Sequence, residues 1–317
     1  MFSRKYEKIQ VFLPDSKESD TKMIDTLLQD SYAYCLNIMK ENSQSFFFAS
    51  RFLPDNQRNS VASWYAFARL TDDLVDEGNF SPSKIDQQLD NLKESIKQLA
   101  NGYISNNPIL YAFGATIRKH NIPISYVYDL IDGVKMDLTK NRYSNFEELE
   151  LYCYRVASTI GLVMTHIFQD NPSPKTLARA ADLGLAMQMT NILRDIKEDY
   201  IKRNRIYIPK NVMEQYSVTE EDFKTNIVSV NLKELIKYEI ELTKGIYKIA
   251  ELGIKELPKS AQYTIYLASR VYAGILNEIK KRDYQILTQR AVVSKKRKFL
   301  IALKVRLMFW NIRKELG

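Results

Sequence analysis

The sequence predicts an all-α fold, and three observations carry that reading. Ten stretches repeat apolar residues at the 3.6-residue period of an amphipathic helix. Gly and Pro are sparse, at 10 and 9 in 317 residues, and they fall mostly between those stretches. No run shows the short apolar-polar alternation, closed by turn residues, that marks a strand.

The periodic stretches follow one another with clear punctuation. Thr26–Glu41 comes first and is separated by Pro54 from Asn59–Val75, which stops before Gly78 and Pro82. Ser83–Ala100 follows Pro82 and closes at Gly102; Ile109–His120 follows Pro108 and Ile124–Asp137 follows Pro123. Glu147–Phe168 reads as one unbroken helix ended by Pro172, and Lys175–Tyr200 starts after Pro174. Pro209 separates it from Asn231–Lys255, Pro258 precedes Ala261–Arg282, and Lys295–Lys314 is last. Helices this apolar must surround one another, which gives a closed cluster of antiparallel neighbours. With 45% hydrophobic residues and no repeat, low-complexity segment or flexible linker, residues 31–317 are expected to form one large helical domain around a central cavity, after an N-terminal extension, 1–30.

Composition excludes several function classes. Two cysteines, Cys35 and Cys153, supply neither a disulfide framework nor a metal cluster, and a cytoplasmic location fits them. The first 22 residues lack the apolar centre of a secretory signal, and no charge-free run of eighteen residues offers a membrane span. The net charge of +8 gathers late, in Lys295, Lys296, Arg297, Lys298, Lys304, Arg306, Arg313 and Lys314, interleaved with Phe299, Leu300, Leu303, Leu307 and Trp310. That pattern fits two structures: a helix packed on the body with solvated lysines, or an interfacial segment giving peripheral membrane contact. Nucleic acid is not expected, because no recognisable binding module accompanies the charge.

Two polar columns mark the functional site. Tyr65, Arg69, Asp72 and Asp76 are offset by four, seven and eleven residues; Gln188, Asn191, Asp195 and Asp199 by three, seven and eleven. At about 100° per residue each set falls on one narrow helix face. Acids four residues apart repel one another, so a repeated pair calls for a cation. Solvated faces are the ordinary fate of Asp pairs, but the neighbours here are apolar: Trp64, Phe67 and Leu70 around the first column, Leu185, Met189 and Leu193 around the second. The columns are therefore expected to face a cavity. Carboxylate and amide oxygens suit Mg²⁺, which shares its ligands with substrate phosphates.

The stretches Tyr65–Glu77 and Gln188–Asp199, with Ser43-Gln44-Ser45-Phe46, Gly133–Leu138, Tyr152–Ala157, Arg205–Pro209, Arg270-Val271-Tyr272 and Arg290, resemble the squalene/phytoene synthase family, and more closely phytoene synthases. The likeness runs over nearly all of the chain after about residue 30. It implies the isoprenoid (terpenoid) synthase fold and the head-to-head condensation of two geranylgeranyl diphosphates, through a cyclopropyl diphosphate, to phytoene. Two readings compete: farnesyl diphosphate giving dehydrosqualene or squalene, and a non-catalytic lipid-binding or assembly protein.

The resemblance also implies roles. Asp72, Asp76, Asn191, Asp195 and Asp199 would hold Mg²⁺, with Mn²⁺ as substitute, and no NADPH is expected. Arg69, Arg194, Arg205 and Arg290 would take phosphate oxygens, with Ser43, Ser45, Tyr152, Tyr272 and Gln188 as further polar contacts. Phe46, Phe47, Tyr65, Tyr152, Leu162, Tyr272 and the Ala157 stretch would line an apolar chamber that keeps carbocations from water. Ser50 and Ala62 are small where a fifteen-carbon-using relative is bulky. Ser158 stands where Gly is usual and is expected to tighten a helix contact, and Asn42 stands where some relatives have His. Lys197 reads as a salt-bridged surface residue, and His120 and His166 lie outside every motif.

Overall fold

The computed structural model describes the backbone of residues 11–12, 18–76 and 80–315, and the side chains of 24–75 and 80–309. Contacts group the chain into two compact units, residues 1–138 with 163–172, and 139–162 with 173–317.

In the first unit, α1 (Glu18–Asn42), the short α2 (Gln44–Ser50) and α3 (Asp55–Asp76) lead into α4 (Pro82–Ala100), α5 (Pro108–Lys119) and α6 (Ile124–Met136). Two-residue strands, Val11–Phe12 and Ile104–Ser105, pair antiparallel. The helix α1 thus begins inside the stretch set apart as an N-terminal extension. Asn107 starts α5 by accepting from the Ile109 and Leu110 amides, with Pro108 where no amide hydrogen is needed. The α1, α3 and α5 helices pack on one another around Trp64, Phe67 and Phe113, whose rings stack at 4.5 to 5.7 Å. Polar groups in this core are paired: Thr116 Oγ1 bonds Ser63 Oγ at 2.8 Å and the Tyr32 hydroxyl at 3.2 Å. Cys35 is wholly buried here, and burial pushes its thiol up to about 12.

The second unit is organised on α9 (Pro174–Arg203), the 30-residue helix that carries the second polar column. Against it lie α7 (Phe146–Cys153), a π-helical turn (Tyr154–Ser158), the small α11 (Glu220–Lys224), α12 (Val230–Ala250), a 3₁₀ turn (Glu251–Glu256) and α13 (Lys259–Lys281). The expected single helix Glu147–Phe168 is therefore interrupted: the π turn joins α7 to α8 (Thr159–Phe168). Likewise α12 ends at Ala250 and tightens into the 3₁₀ turn before Lys255. The π turn meets α9 at backbone distance. A Cβ on Gly184 would sit 2.4 Å from the Ala157 carbonyl oxygen, so glycine is what permits the contact. Ser158 adds a bond to it, its Oγ donating to the Ala181 carbonyl at 2.7 Å, and so tightens a helix contact as expected. The core of the unit includes Leu193, Ile196, Leu235, Ile236, Leu276 and Ile279. Cys153 is also wholly buried, its thiol driven up by desolvation.

After α10 (Lys210–Gln215) and the other short connections, the last helix, α14 (Lys295–Glu315), packs on α13. Among the described residues no helix is long and apolar enough to cross a membrane.

Candidate active site

The first column lies on α3. The Tyr65 ring stacks on Phe46 of α2 with centroids 5.8 Å apart, beginning the aromatic surface expected beside the acids. Ser43 caps α2, its Oγ accepting from the Phe46 amide at 3.4 Å, and Ser45 is half-buried in the same helix. Arg69 reaches along α3 to Asp73, Nη2 to Oδ1 2.6 Å, and Asp73 is almost fully buried. Burial disfavours the Arg69 charge, but Asp73 and Asp72 outweigh it and raise its pKa. Asp73 is a site residue the sequence reading passed over within the motif, although its Arg-to-Asp spacing of four is the sign of such a pair. Asp72 is exposed to solvent. The side chain of Asp76 lies outside the described residues. Ser50 and Ala62 are both buried.

On α9, Gln188, Asn191, Asp195 and Asp199 are all half-buried. Asn191 Nδ2 donates to Gln188 Oε1 at 3.2 Å, while Asn191 Oδ1 is buried without a hydrogen-bond partner. Asp195 sits between two guanidinium forks. Arg290, from the segment after α13, donates to Oδ1 at 2.7 Å and Oδ2 at 3.0 Å; Arg194 donates to Oδ1 at 2.8 Å and also to Oδ2. Burial pushes the Asp195 carboxyl up, but the two arginines outweigh it and hold the group below the ordinary carboxylate range. Asp199 shows the opposite balance. Burial first, and the charge of Asp195 next, push it up to about 7 against the pull of Arg203 and Arg205. Arg203 reaches it only at 3.4 Å, and Arg205 lines a small pocket with Asp199, Ile192, Ile196 and Tyr207.

Tyr272 of α13 is within electrostatic reach of Arg194, Asp195 and Arg290, and burial raises its phenol. Tyr152 is buried, donates to the Tyr207 hydroxyl at 3.1 Å, and stacks in a cluster with Tyr207 and Tyr143. Ala157 stands in the π turn, half-buried against α9. Lys197 donates to the carbonyls of Phe223, Lys224 and Thr225 at the end of α11, a structural role. His120 bonds Ser60 at 2.9 Å and His166 lies against Tyr126.

The donor set on α9 fits a hard divalent cation. An orphaned amide oxygen and a carboxyl that burial and the Asp195 charge push up to about 7 stand in one column, and a bound divalent cation would relieve both. Among the described residues no three His, Cys, Asp or Glu side chains converge on one point.

The profile of the squalene/phytoene synthase family matches residues 39–297. The chain belongs to the squalene/phytoene synthase family. The phytoene synthase of Arthrospira platensis is 33% identical over 276 residues, covering 83% of this chain and 88% of that one. The 15-cis-phytoene synthase of Synechocystis sp. is 30% identical over 284 residues, covering 86% and 83%. A crystal structure of a dehydrosqualene synthase with bound ligand superposes with a TM-score of 0.84 at 27% identity, covering 91% of this chain and 99% of that one. Squalene synthase HpnC of Alicyclobacillus acidocaldarius shares the fold, with a TM-score of 0.74 at 24% identity over 81% and 96%. The chain therefore has the isoprenoid synthase fold and is a prenyltransferase of the head-to-head kind, in a family that acts on small allylic diphosphates.

Proposed function

We propose that this prenyltransferase joins two molecules of geranylgeranyl diphosphate to give phytoene, with Mg²⁺ and without NADPH. The observation that carries the reading is the Asp195 cluster: two guanidinium forks on one carboxylate, beside an orphaned amide oxygen, in a chain whose relatives at 30–33% identity are named phytoene synthases. The guanidinium groups that satisfy Asp195 have the planar fork that takes phosphate oxygens, so they can pass from carboxylate to diphosphate.

Asp72, Asp76, Asn191, Asp195 and Asp199 are the residues that would hold Mg²⁺, whose charge assists departure of the diphosphate. Arg69, paired with Asp73, would turn its remaining donors to a phosphate oxygen. Arg194, Arg205 and Arg290 supply further donors. Ionisation of the donor breaks its C–O bond and leaves an allylic cation, which the double bond of the acceptor captures, with loss of a proton, as a cyclopropyl diphosphate. A second ionisation, rearrangement and loss of a proton give the hydrocarbon, so two diphosphates and two protons leave in all. The stacked Phe46 and Tyr65 rings, and Tyr272 on α13, offer faces that stabilise positive charge and exclude water.

A second reading, dehydrosqualene from farnesyl diphosphate, is favoured by the dehydrosqualene synthase superposition. A non-catalytic relative has no need of the acids, and Asp72, Asp76, Asp195 and Asp199 are all present. The test is incubation of purified protein with each diphosphate and Mg²⁺, with and without NADPH, followed by chromatography and mass spectrometry. A forty-carbon hydrocarbon with a central conjugated triene, from geranylgeranyl diphosphate alone, is the expected product. A thirty-carbon product only, or no hydrocarbon from either substrate, overturns the assignment.

A further inference from the structure

The helix α14 is apolar on two opposite sides. One side is spent on the protein: Ala302 and Val305 are buried, Tyr263 donates its hydroxyl to the Ala302 carbonyl at 3.2 Å, and Phe309 meets Tyr263 and Tyr266 edge-on at 5.8 and 6.0 Å. The other side faces solvent. Phe299, Leu300, Leu303 and Leu307 are 65, 53, 46 and 48% exposed. At about 100° per residue these four span roughly a 100° arc over two turns. Lys295 and Arg306 lie along one edge of the arc, Lys304 along the other, and Lys296 at its N-terminal end, all exposed. Register puts Trp310 on the same arc, although its side chain lies outside the described residues. Val292, just before the helix, is a further exposed apolar side chain.

Charge completes the picture. Lys295–Glu315 holds eight Lys and Arg against the single Glu315, a net +7, whereas the whole chain carries +8. The rest of the protein is close to neutral, so the positive field is concentrated on this one helix. Arg297 anchors its first turn to Glu278 of α13.

We propose that the outer face of α14 docks on an anionic lipid bilayer, lying in the plane of the surface. Phe299, Leu300, Leu303 and Leu307 enter the boundary between headgroups and acyl chains, and the basic rim reaches lipid phosphates. A second copy of this chain fits the face poorly, because a twofold contact would bring two helices of like charge together. A nucleic-acid backbone would pair with the lysines but leave the apolar arc uncovered. The proposal is independent of the substrate assignment, because the face binds lipid in the absence of any diphosphate.

The test is flotation of the full-length protein, without substrate, on vesicles of phosphatidylcholine alone and of phosphatidylcholine with about one-third phosphatidylglycerol. Binding is expected on the anionic vesicles at ~0.1 M salt, at least about tenfold weaker on the neutral ones and at ~0.5 M salt. The Leu303→Gln/Leu307→Gln protein should bind about tenfold or more weakly, with unchanged helicity and thermal midpoint, since both side chains point to solvent. Lys304→Gln/Arg306→Gln, which leaves the apolar arc intact, should lose the preference for anionic lipid. Failure of the native protein to float with anionic vesicles overturns the proposal, as does undiminished binding by both double variants. A dimer seen by light scattering and abolished by Leu303→Gln/Leu307→Gln would overturn it in favour of self-association.

Discussion

The two acidic columns share a spacing but not an environment. On α3, Asp72 is exposed to water, and the nearby Arg69 is occupied by Asp73 one turn away. On α9, Asp195 is held by two arginines, one from its own helix and one from a segment 95 residues distant, while Asp199 is left with a carboxyl pushed up to about 7. Similar acidic positions thus give an exposed Asp72 on α3 and, on α9, a half-buried pair whose charge is set by burial and by neighbouring arginines. A motif fixes which groups are present; burial and the reach of distant arginines decide their charge.

The sharpest way to break the comparison is to remove an acid from each. Asp72→Ala and Asp195→Ala should each lower turnover with Mg²⁺ by about a thousandfold or more, with helical content by circular dichroism nearly unchanged. Full activity in both variants would dismiss the reading that both columns serve one reaction.

Stability separates the columns next. Asp195→Asn leaves the Arg194 and Arg290 guanidinium groups facing one another without a counter-charge, and should cost about 2–3 kcal/mol in chemical denaturation. Asp72→Asn, at an exposed position, should stay within about 0.5 kcal/mol.

Glu239 of α12 extends the series to a carboxyl with burial and no cation. It is pushed up to about 7 by desolvation alone. Its folded pKa lies above the unfolded value, so the folded state keeps a proton that the unfolded state releases, and stability falls as pH rises from about 4.5 to about 7. Glu239→Gln should make that slope shallower, leaving the part that Asp199 contributes, and gain roughly 1–3 kcal/mol at pH ~8, read from denaturation midpoints across the range. The smallest effect concerns the fork itself. Arg290→Lys keeps the charge but loses paired donation, and should raise KM for the diphosphate about tenfold while Mg²⁺ still raises the thermal midpoint.

Much of this was legible in the residues. The long helices follow from apolar periodicity, and both columns from offsets of three, four, seven and eleven. The short helices α2, α10 and α11 escaped because five to seven residues carry too little periodicity to register. The π turn at Tyr154–Ser158 escaped because its apolar pattern continues that of its neighbours, and the close approach to α9 shows only in isolated glycines, Gly184 on α9 and Gly161 just after the turn. Within the site, the Arg69–Asp73 pair was readable as a local spacing. The union of Arg290 with Asp195, and of Tyr152 with Tyr207, joins residues remote in sequence, and nothing local encodes it.

The burial of Cys35 and Cys153 has a practical side. Thiols that do not ionise near neutrality react slowly with maleimides and peroxides alike. The native protein should therefore react slowly with thiol-directed reagents, and a single cysteine introduced at an exposed position such as Leu303 would carry a spectroscopic label with little background.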